Sequence, residues 1–352
     1  MTDFPQELPT SKVPDPRSAP SLGWGVLGTG WIAERFVASL AEHSSQRVVA
    51  VGSRHRSTAD DFAGRFDVAT AHGSYADLVA DPSVDVVYVP TPHNAHLEGA
   101  LLALEAGKHV VVEKPLAINA DEARQITAVA AGRGLFCMEA HWTTFLPKYD
   151  VLRQLLASDV LGEVTAVVAD FGEWFPDGHR IFSPALAGGP MHDLGTYLVS
   201  LVVSVLGERP DEVVASAVRL PGGVVGQTAI LLRHGDRQAV LHTTITGNTP
   251  TEATIVGTRA SIEIDGPFYQ PGGFSLVSSD KATRLRYDEP RYAHEGGLHF
   301  QAAAVARHVT AGDTESDLRP LAASIAVLEV MDEVRRQTHD LLPGEHLLPR
   351  RA

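Results

Sequence analysis

The sequence predicts a chain in two parts. The first is an α/β domain on a parallel sheet, of the Rossmann type. The second is an α+β domain with an open-faced, mostly antiparallel sheet. Three observations predict this. Residues 22–36, LGWGVLGTGWIAERF, read as strand, tight glycine turn and helix. Buried-strand runs then alternate with helical patterns as far as residue 141. From Glu163 the pattern changes to period-two alternation, broken by Gly, Pro, Asp and Asn turns. At 352 residues and 44% hydrophobic, the chain is long enough for two cores.

In order, Trp24 to Leu27 is the opening strand. Gly28 permits a turn that a side chain would block, and Gly30 lets a pyrophosphate approach the backbone. Ala33 lets the helix pack close to its strand. The first-turn amides, those of Trp31 and Ile32 among them, point with the positive end of the helix dipole at the phosphates. The plain alternative is an ordinary strand-to-helix turn; its place at the head of a βαβ run favours the dinucleotide. Arg47 to Ser53 is a buried strand. Where NAD-selective domains carry an acid, Gly52 and Ser53 leave the position uncharged, and Arg54 and Arg56 follow. A guanidinium binds a 2′-phosphate in a charge-assisted pair. NADP is therefore expected over NAD, solvated loop arginines being the alternative. A helix capped by Ser57 runs to Phe66, and another spans 74–80.

Val84 to Val89 is the next strand, stopped by Pro90 and Pro92. Ligands of an open parallel sheet lie beyond the carboxyl ends of its strands. That places Thr91, His93, Asn94 and His96 for cofactor contact, with Asn94 also capping a helix over 95–106. For His96 a role in the turn is the simpler reading. His109 to Val112 is a central strand ending in Glu113-Lys114-Pro115. A carboxylate and an ammonium are costly to bury unless paired or used, and Pro115 fixes the direction of Lys114. A structural Glu–Lys pair is the alternative to chemistry. A helix over 119–132 and a strand over 135–140 complete this part.

The chain resembles the Gfo/Idh/MocA oxidoreductases. The residues that carry the resemblance are Gly28-Thr29-Gly30-Trp31-Ile32-Ala33, Tyr88-Val89-Pro90-Thr91-Pro92, residues 107–115 (GKHVVVEKP) and residues 188–197 (GGPMHDLGTY). Residues 138–145 (MEAHWTTF), and tyrosine rather than histidine at 197, resemble the dihydrodiol and xylose dehydrogenase branch. The resemblance implies that Lys114 and Tyr197 flank the nicotinamide. Two positions depart from the pattern: Thr144 stands where the branch usually has arginine, and His192 where the family usually has an aliphatic residue. Both bear on the substrate.

In the second part, a linking helix spans 145–158 and a strand follows over 164–171. Further strands are expected over 213–220, 225–233, 238–246, 253–256, 261–264, 274–277 and 284–287. A helix over 191–206 interrupts them. It places Asp193 and Tyr197, four apart, on one face. Phe171, Trp174 and Phe175 suit an apolar or sugar-stacking pocket, aromatic core being the alternative. His179 and Arg180 lie just before the helix. With Trp142, the residues Phe171, Arg180 and Asp193 form the expected substrate pocket. An amphipathic helix over 318–337 is expected to pack back on the first domain. The expected divisions are 1–21 (a proline-rich flexible arm), 22–141, 142–315, 316–339 and 340–352 (a tail).

The net charge is -14, without a basic block, so nucleic acid is not an expected partner. No apolar stretch is long enough for a bilayer, and no signal-peptide pattern opens the chain; the cytoplasm is the default. Cys137 is the only cysteine and reads as a buried apolar residue. No metal site is expected. Arginine carries most of the positive charge, so any of the lysines (Lys12, Lys108, Lys114, Lys148, Lys281) in an interior stretch stands out.

The expected reaction is hydride transfer between NADP and a secondary alcohol or hemiacetal of a sugar or cyclic diol. Tyr197 exchanges the proton, Lys114 stabilises the developing alkoxide, Asp193 orients, and Glu113 supports the cofactor side. The rivals are an inositol or other sugar dehydrogenase, a 1,5-anhydrofructose-type reductase, and a nonenzymatic NADP-binding sensor. The resemblance also implies a homodimer through the second sheet.

Overall fold

The computed structural model describes residues 4–290, 296–342 and 345. It divides into two compact units, Pro14–Phe145 with Tyr292–Ile325, and Met1–Val13 with Leu146–Arg291 and Ala326–Ala352.

In the first unit β1 (Gly23–Leu27) passes through the glycine turn into α1 (Trp31–His43). Then come β2 (Arg47–Gly52), α2 (Arg56–Phe66), β3 (Thr70–His72), α3 (Tyr75–Ala80) and β4 (Val86–Val89). They are followed by α4 (His96–Glu105), β5 (His109–Glu113), α5 (Ala120–Arg133) and β6 (Cys137–Ala140). All pairings are parallel, in the order β3-β2-β1-β4-β5-β6. The order reverses between β1 and β4, which opens a crevice beyond their carboxyl ends. Val86 to Val89 and Val110 to Val112 are buried, as strands covered on both faces require. Ser74 and Asn119 cap α3 and α5 through their side-chain oxygens.

Two helix starts differ from the sequence reading. α2 begins at Arg56 with His55 at its N-cap, so Ser57 lies inside the helix. α4 begins at His96 after a single 3-10 turn over His93–Ala95, and Asn94 does not cap it. The short edge strand β3 was not expected.

The segment read as a flexible arm is tied down where it is described. Asp15 caps a 3-10 turn over Pro16–Ser18. Arg307 donates to the Asp15 carbonyl at 2.8 Å, and Gln46 to that of Pro20 at 2.7 Å. In the second unit the Lys12 amide donates to Asp150 at 2.7 Å. The prolines preset an extended backbone, and its polar groups find side-chain partners.

The second unit holds α6 (Pro147–Ala157), β7 (Val164–Gly172), α7 (Thr196–Leu206), β8 (Glu212–Arg219), β9 (Val225–His234) and β10 (Arg237–Thr244). It continues with β11 (Ala253–Gly257), β12 (Ala260–Ile264), β13 (Phe274–Ser278) and β14 (Arg284–Tyr287). Every expected strand is present with ends shifted by a residue or two. The order is β14-β13-β12-β11-β7-β10-β9-β8, antiparallel except for the β7–β10 pair. α7 packs on β7 and β10, and nearly all its side chains are buried. The opposite face is open. Val168, Val240, Leu231 and Val214 stand directly beside one another across β7, β10, β9 and β8, 36–50% exposed.

One helix was missed. α8 (Leu298–Ala311) belongs to the first unit, so the division expected over 142–315 ends too late. α9 (Leu321–Gln337) is divided: residues up to Ile325 group with the first unit, and those from Ala326 with the second. Of the expected tail, residues 343–344 and 346–352 lie outside the described residues. Among the described residues, no helix is long and apolar enough to cross a membrane.

Candidate active site

The glycine turn fits a diphosphate. Gly28 has φ +125°, a conformation L side chains rarely adopt, and its amide donates to the Gly52 carbonyl at 2.9 Å. A side chain at Gly30 would meet nothing within 4 Å, so space lies open over the turn. Gly30 is the N-cap of α1 and offers no side-chain oxygen to the first-turn amides, among them those of Trp31 and Ile32. The Trp31 ring is exposed, with Arg35 stacked over it. The Thr91 methyl lies 4.0 Å from the position of a Cβ on Gly28, so the β4 end faces this turn. Its hydroxyl is buried without a hydrogen-bond partner. Backbone room, uncapped amides and an orphaned hydroxyl are what a dinucleotide would use.

The β5 end is fixed from within. The Tyr88 hydroxyl donates to Glu113 Oε1, and the Lys114 amide donates to Glu113 Oε2 at 3.1 Å. Glu113 is thus turned inward and braces the turn. Leu116, two residues past Lys114, donates its amide to Glu139 at 3.1 Å. Glu139 is fully buried and takes further hydrogen bonds from Arg319 and from Ser324 (2.6 Å). His96 is a strut rather than a cofactor ligand: fully buried, it faces the Pro115 carbonyl with Nδ1 (2.8 Å) and that of Thr91 with Nε2 (2.9 Å). Burial outweighs those two hydrogen bonds and lowers its pKa to about 4. His93 is buried edge-on to His96, and Asn94 is exposed. Lys114 itself is half-buried. His141 lies within reach of its field; burial first, then the charges of Arg319 and Lys114, hold it well below the usual imidazole range. Thr144, at the departing position, hydrogen-bonds His141 Nδ1 at 3.0 Å. Cys137 is buried in β6, its thiol pushed up to about 12 by burial.

At the β2 end Ser53 is buried and Arg54 is exposed. Arg56 pairs with Asp60 at 2.8 Å on the surface.

In the second unit the stretch before α7 is not plain α-helix. Met191–Gly195 forms a π turn, a widening that recurs at functional sites. Asp193, in the middle of this turn, and Tyr197, at the start of α7, are both buried. Arg180 grips Asp193 with both terminal nitrogens (2.7 and 3.2 Å). The carboxylate expected to orient Lys114 or a substrate hydroxyl is thus engaged by arginine. Tyr197 stacks on Tyr269 (centroids 4.5 Å apart), and Tyr269 stacks on Phe171 (4.7 Å). Tyr269 was missed; its only sequence signal was an aromatic pair, Phe268-Tyr269, in a turn-rich stretch. Trp174 is 59% exposed, and Phe175 stacks on His179.

The predicted residues therefore fall into two groups. Gly28, Gly30, Thr91 and the Lys114 turn share the first unit, as does Trp142, buried in a 3-10 turn over Trp142–Phe145. Phe171, Arg180, Asp193 and Tyr197 share the second. Among the described residues, no group of three or more His, Cys, Asp or Glu is arranged to hold a metal.

A family model described as the oxidoreductase family, NAD-binding Rossmann fold, matches residues 22–141. The GFO/IDH/MocA C-terminal domain model matches residues 149–263. The trans-1,2-dihydrobenzene-1,2-diol dehydrogenase of Danio rerio is 36% identical over 325 residues, covering 90% of this chain and 97% of that protein. Its Homo sapiens counterpart is 33% identical over 322 residues, covering 90% and 96%. Among solved structures, a 3-ketoreductase from Actinomadura kijaniata in complex with NADP and TDP-benzene aligns with a TM-score of 0.80 at 26% identity. It covers 91% of this chain and 98% of that one. A levoglucosan dehydrogenase in complex with NADH and levoglucosan aligns at 0.81 and 17% identity, which speaks for the fold alone.

Proposed function

The chain belongs to the Gfo/Idh/MocA oxidoreductase family, and on that footing we propose that it moves a hydride between NADP(H) and a carbinol or carbonyl carbon of a small cyclic diol or sugar. An aromatic dihydrodiol is the first substrate class to try, given the relatives at 33–36% identity. The observation that carries the reading is one sheet with two features at its carboxyl edge: a glycine turn open to a diphosphate and, past β5, a lysine turn braced by Glu113, His96 and Glu139.

When bound, the nicotinamide supplies or takes up the hydride. Lys114 is assigned to hydrogen-bond the substrate oxygen and stabilise negative charge as it develops there. Tyr197 is assigned to exchange the proton of that oxygen. A phenol, with an ordinary pKa of about 10, needs cationic help to act near neutrality, and Lys114 is assigned that task as well. Arg180 and Asp193 together offer donors and acceptors to substrate hydroxyls. Arg54 is assigned to the 2′-phosphate of NADP. Arg56 joins it at the cost of a surface ion pair, about 0.3–0.5 kcal/mol.

The test is NADP reduction against trans-1,2-dihydrobenzene-1,2-diol, aldoses and inositols, and NADPH oxidation against dicarbonyls. Turnover of the diol, with kcat/KM higher for NADP than for NAD, is the expected result. Turnover of sugars alone moves the assignment to a sugar dehydrogenase or ketoreductase, the reading favoured by the similarity to the Actinomadura enzyme. Tight NADP binding without turnover on any of them rejects the enzyme in favour of a sensor.

The same reading includes a homodimer through the open sheet face. Its support is the row of Val168, Val240, Leu231 and Val214, exposed side by side across four strands. Val240→Asp should shift the sedimentation coefficient from dimer to monomer; an unchanged coefficient for a monomeric native chain rejects it.

A further inference from the structure

Lys148 is fully buried, and nothing in the proposed reaction uses it. It stands in the first turn of α6, and its ammonium donates to two main-chain carbonyls, those of Phe268 (2.9 Å) and Gln270. These are the carbonyls on either side of Tyr269. The Tyr149 hydroxyl adds a bond to the same Phe268 carbonyl at 3.2 Å, and the Gln270 side chain donates to the Tyr269 hydroxyl at 3.1 Å. The Lys148 amide donates to Glu289 at 2.7 Å, and the charge of Lys148 acts on that partly buried carboxyl group. An ammonium in a protein interior is costly unless it is hydrogen-bonded and compensated. A plain apolar side chain would fill the volume at no such cost. What the lysine adds is a grip on the backbone at both ends of one residue.

That residue is the stacking partner of Tyr197. Tyr269 makes the nearest ring contact to Tyr197 (4.5 Å, planes 29° apart), and Phe171 closes a three-ring cluster, 4.7 Å from Tyr269 and 6.0 Å from Tyr197. We propose that Lys148 is a positioning residue for Tyr197: it clamps the backbone around Tyr269, and Tyr269 holds the Tyr197 ring in place. This rests on the assignment of proton transfer to Tyr197. A reacting group displaced by about 1 Å loses on the order of 100-fold in rate, so a loose Tyr269 reaches the reaction without touching the substrate.

The experiment uses the full chain and four variants: Lys148→Met, Tyr269→Leu, the double variant and Tyr197→Phe. It reads kcat and the KM for NADP with whichever compound of the panel above is turned over. It also reads the Tyr197 ring resonances in protein carrying labelled tyrosine, which needs no substrate. The expected results are a kcat loss of roughly 10- to 100-fold in Lys148→Met and Tyr269→Leu with the KM for NADP unchanged. The double variant should lose no more than the worse single, because both act through one ring. Tyr197 resonances should move in both single variants. Additive losses in the double, or unmoved Tyr197 resonances in a folded Lys148→Met, overturn the proposal. If Lys148→Met does not fold, Tyr269→Leu decides alone, since it leaves the clamp intact; wild-type kcat there overturns the proposal. Wild-type kcat in Tyr197→Phe instead rejects the parent assignment, and with it this one. An inactive Tyr197→Phe beside a fully active Lys148→Met rejects this one only.

Discussion

Lys114 and Tyr197 are held by opposite means. Lys114 stands at a strand end, and what holds its turn is polar: Glu113, a His96 ring spanning two carbonyls, and Glu139 bonded to Arg319 and Ser324. Tyr197 stands on a helix, and what holds it is a stack of rings, with one buried ammonium behind the stack. A polar brace is specific in direction but fails abruptly, because removing one partner strands the other in low dielectric. A ring stack yields gradually. The two units should therefore respond differently to the same kind of damage.

The largest expected effect is on the reaction. Lys114→Met and Tyr197→Phe should each lower kcat by about 10²–10⁴-fold, with NADPH affinity by fluorescence titration nearly kept. Near-normal kcat in both removes the premise of the comparison. Next is stability. Arg319→Met leaves the Glu139 carboxylate buried without its cation and should cost about 3–5 kcal/mol in urea unfolding. Tyr269→Leu should cost less; if the order is reversed, the contrast between brace and stack is wrong.

Acid sharpens the same contrast. His96 and His299, both in the first unit, have pKa values of about 4 and about 3 against an unperturbed 6.5, lowered chiefly by burial. Between those values the unfolded chain binds more protons than the folded one, so their contribution is full above 6.5 and is lost as pH falls toward 4. In the second unit burial raises Glu289 and Asp340 instead, and for those the folded state gains protons as pH falls. Hydrogen-exchange protection, corrected for the intrinsic exchange rate at each pH, should therefore fall from pH 7.5 to pH 5 more in β4 and β5 than in β7 and β10. An equal fall in both sheets contradicts this. The smallest effects are at the two arginines past β2: Arg54→Ala should raise the KM for NADP but not for NAD, and Arg56→Ala should do the same to a lesser degree, with a stability change of about 0.5 kcal/mol or less.

What was legible in the sequence follows the range of the interactions. The glycine turn, the valine strands and the Lys114-Pro115 ending are local patterns, and the parallel order follows from βαβ connections. The antiparallel strands were legible because period-two alternation survives at each one. The helix after β5 was read but not its Asn119 cap, and Asn94 was over-read, since a 3-10 turn moved the helix start past it. The His96 strut could not be read in full, because its partners, the Thr91 and Pro115 carbonyls, carry no side-chain signature. Tyr269 reaches Tyr197 across 72 residues and Lys148 reaches Phe268 across 120, by packing that no local spacing encodes. α8 was missed although Gly297 and Gly312 bracket an alanine-rich apolar pattern; it follows a run of strands in the sequence, and nothing local marks the chain's return to the first unit. The π turn has no sequence signature at all.

The lone thiol offers one more use. Cys137 sits inside β6, with no solvent contact and a proton it gives up only near pH 12. A maleimide or aromatic disulfide reagent can therefore modify this chain only in moments when the parallel sheet opens. The rate of that single labelling event is a built-in clock for the opening of the first unit, and a cysteine introduced anywhere on the surface would carry a dye without competition.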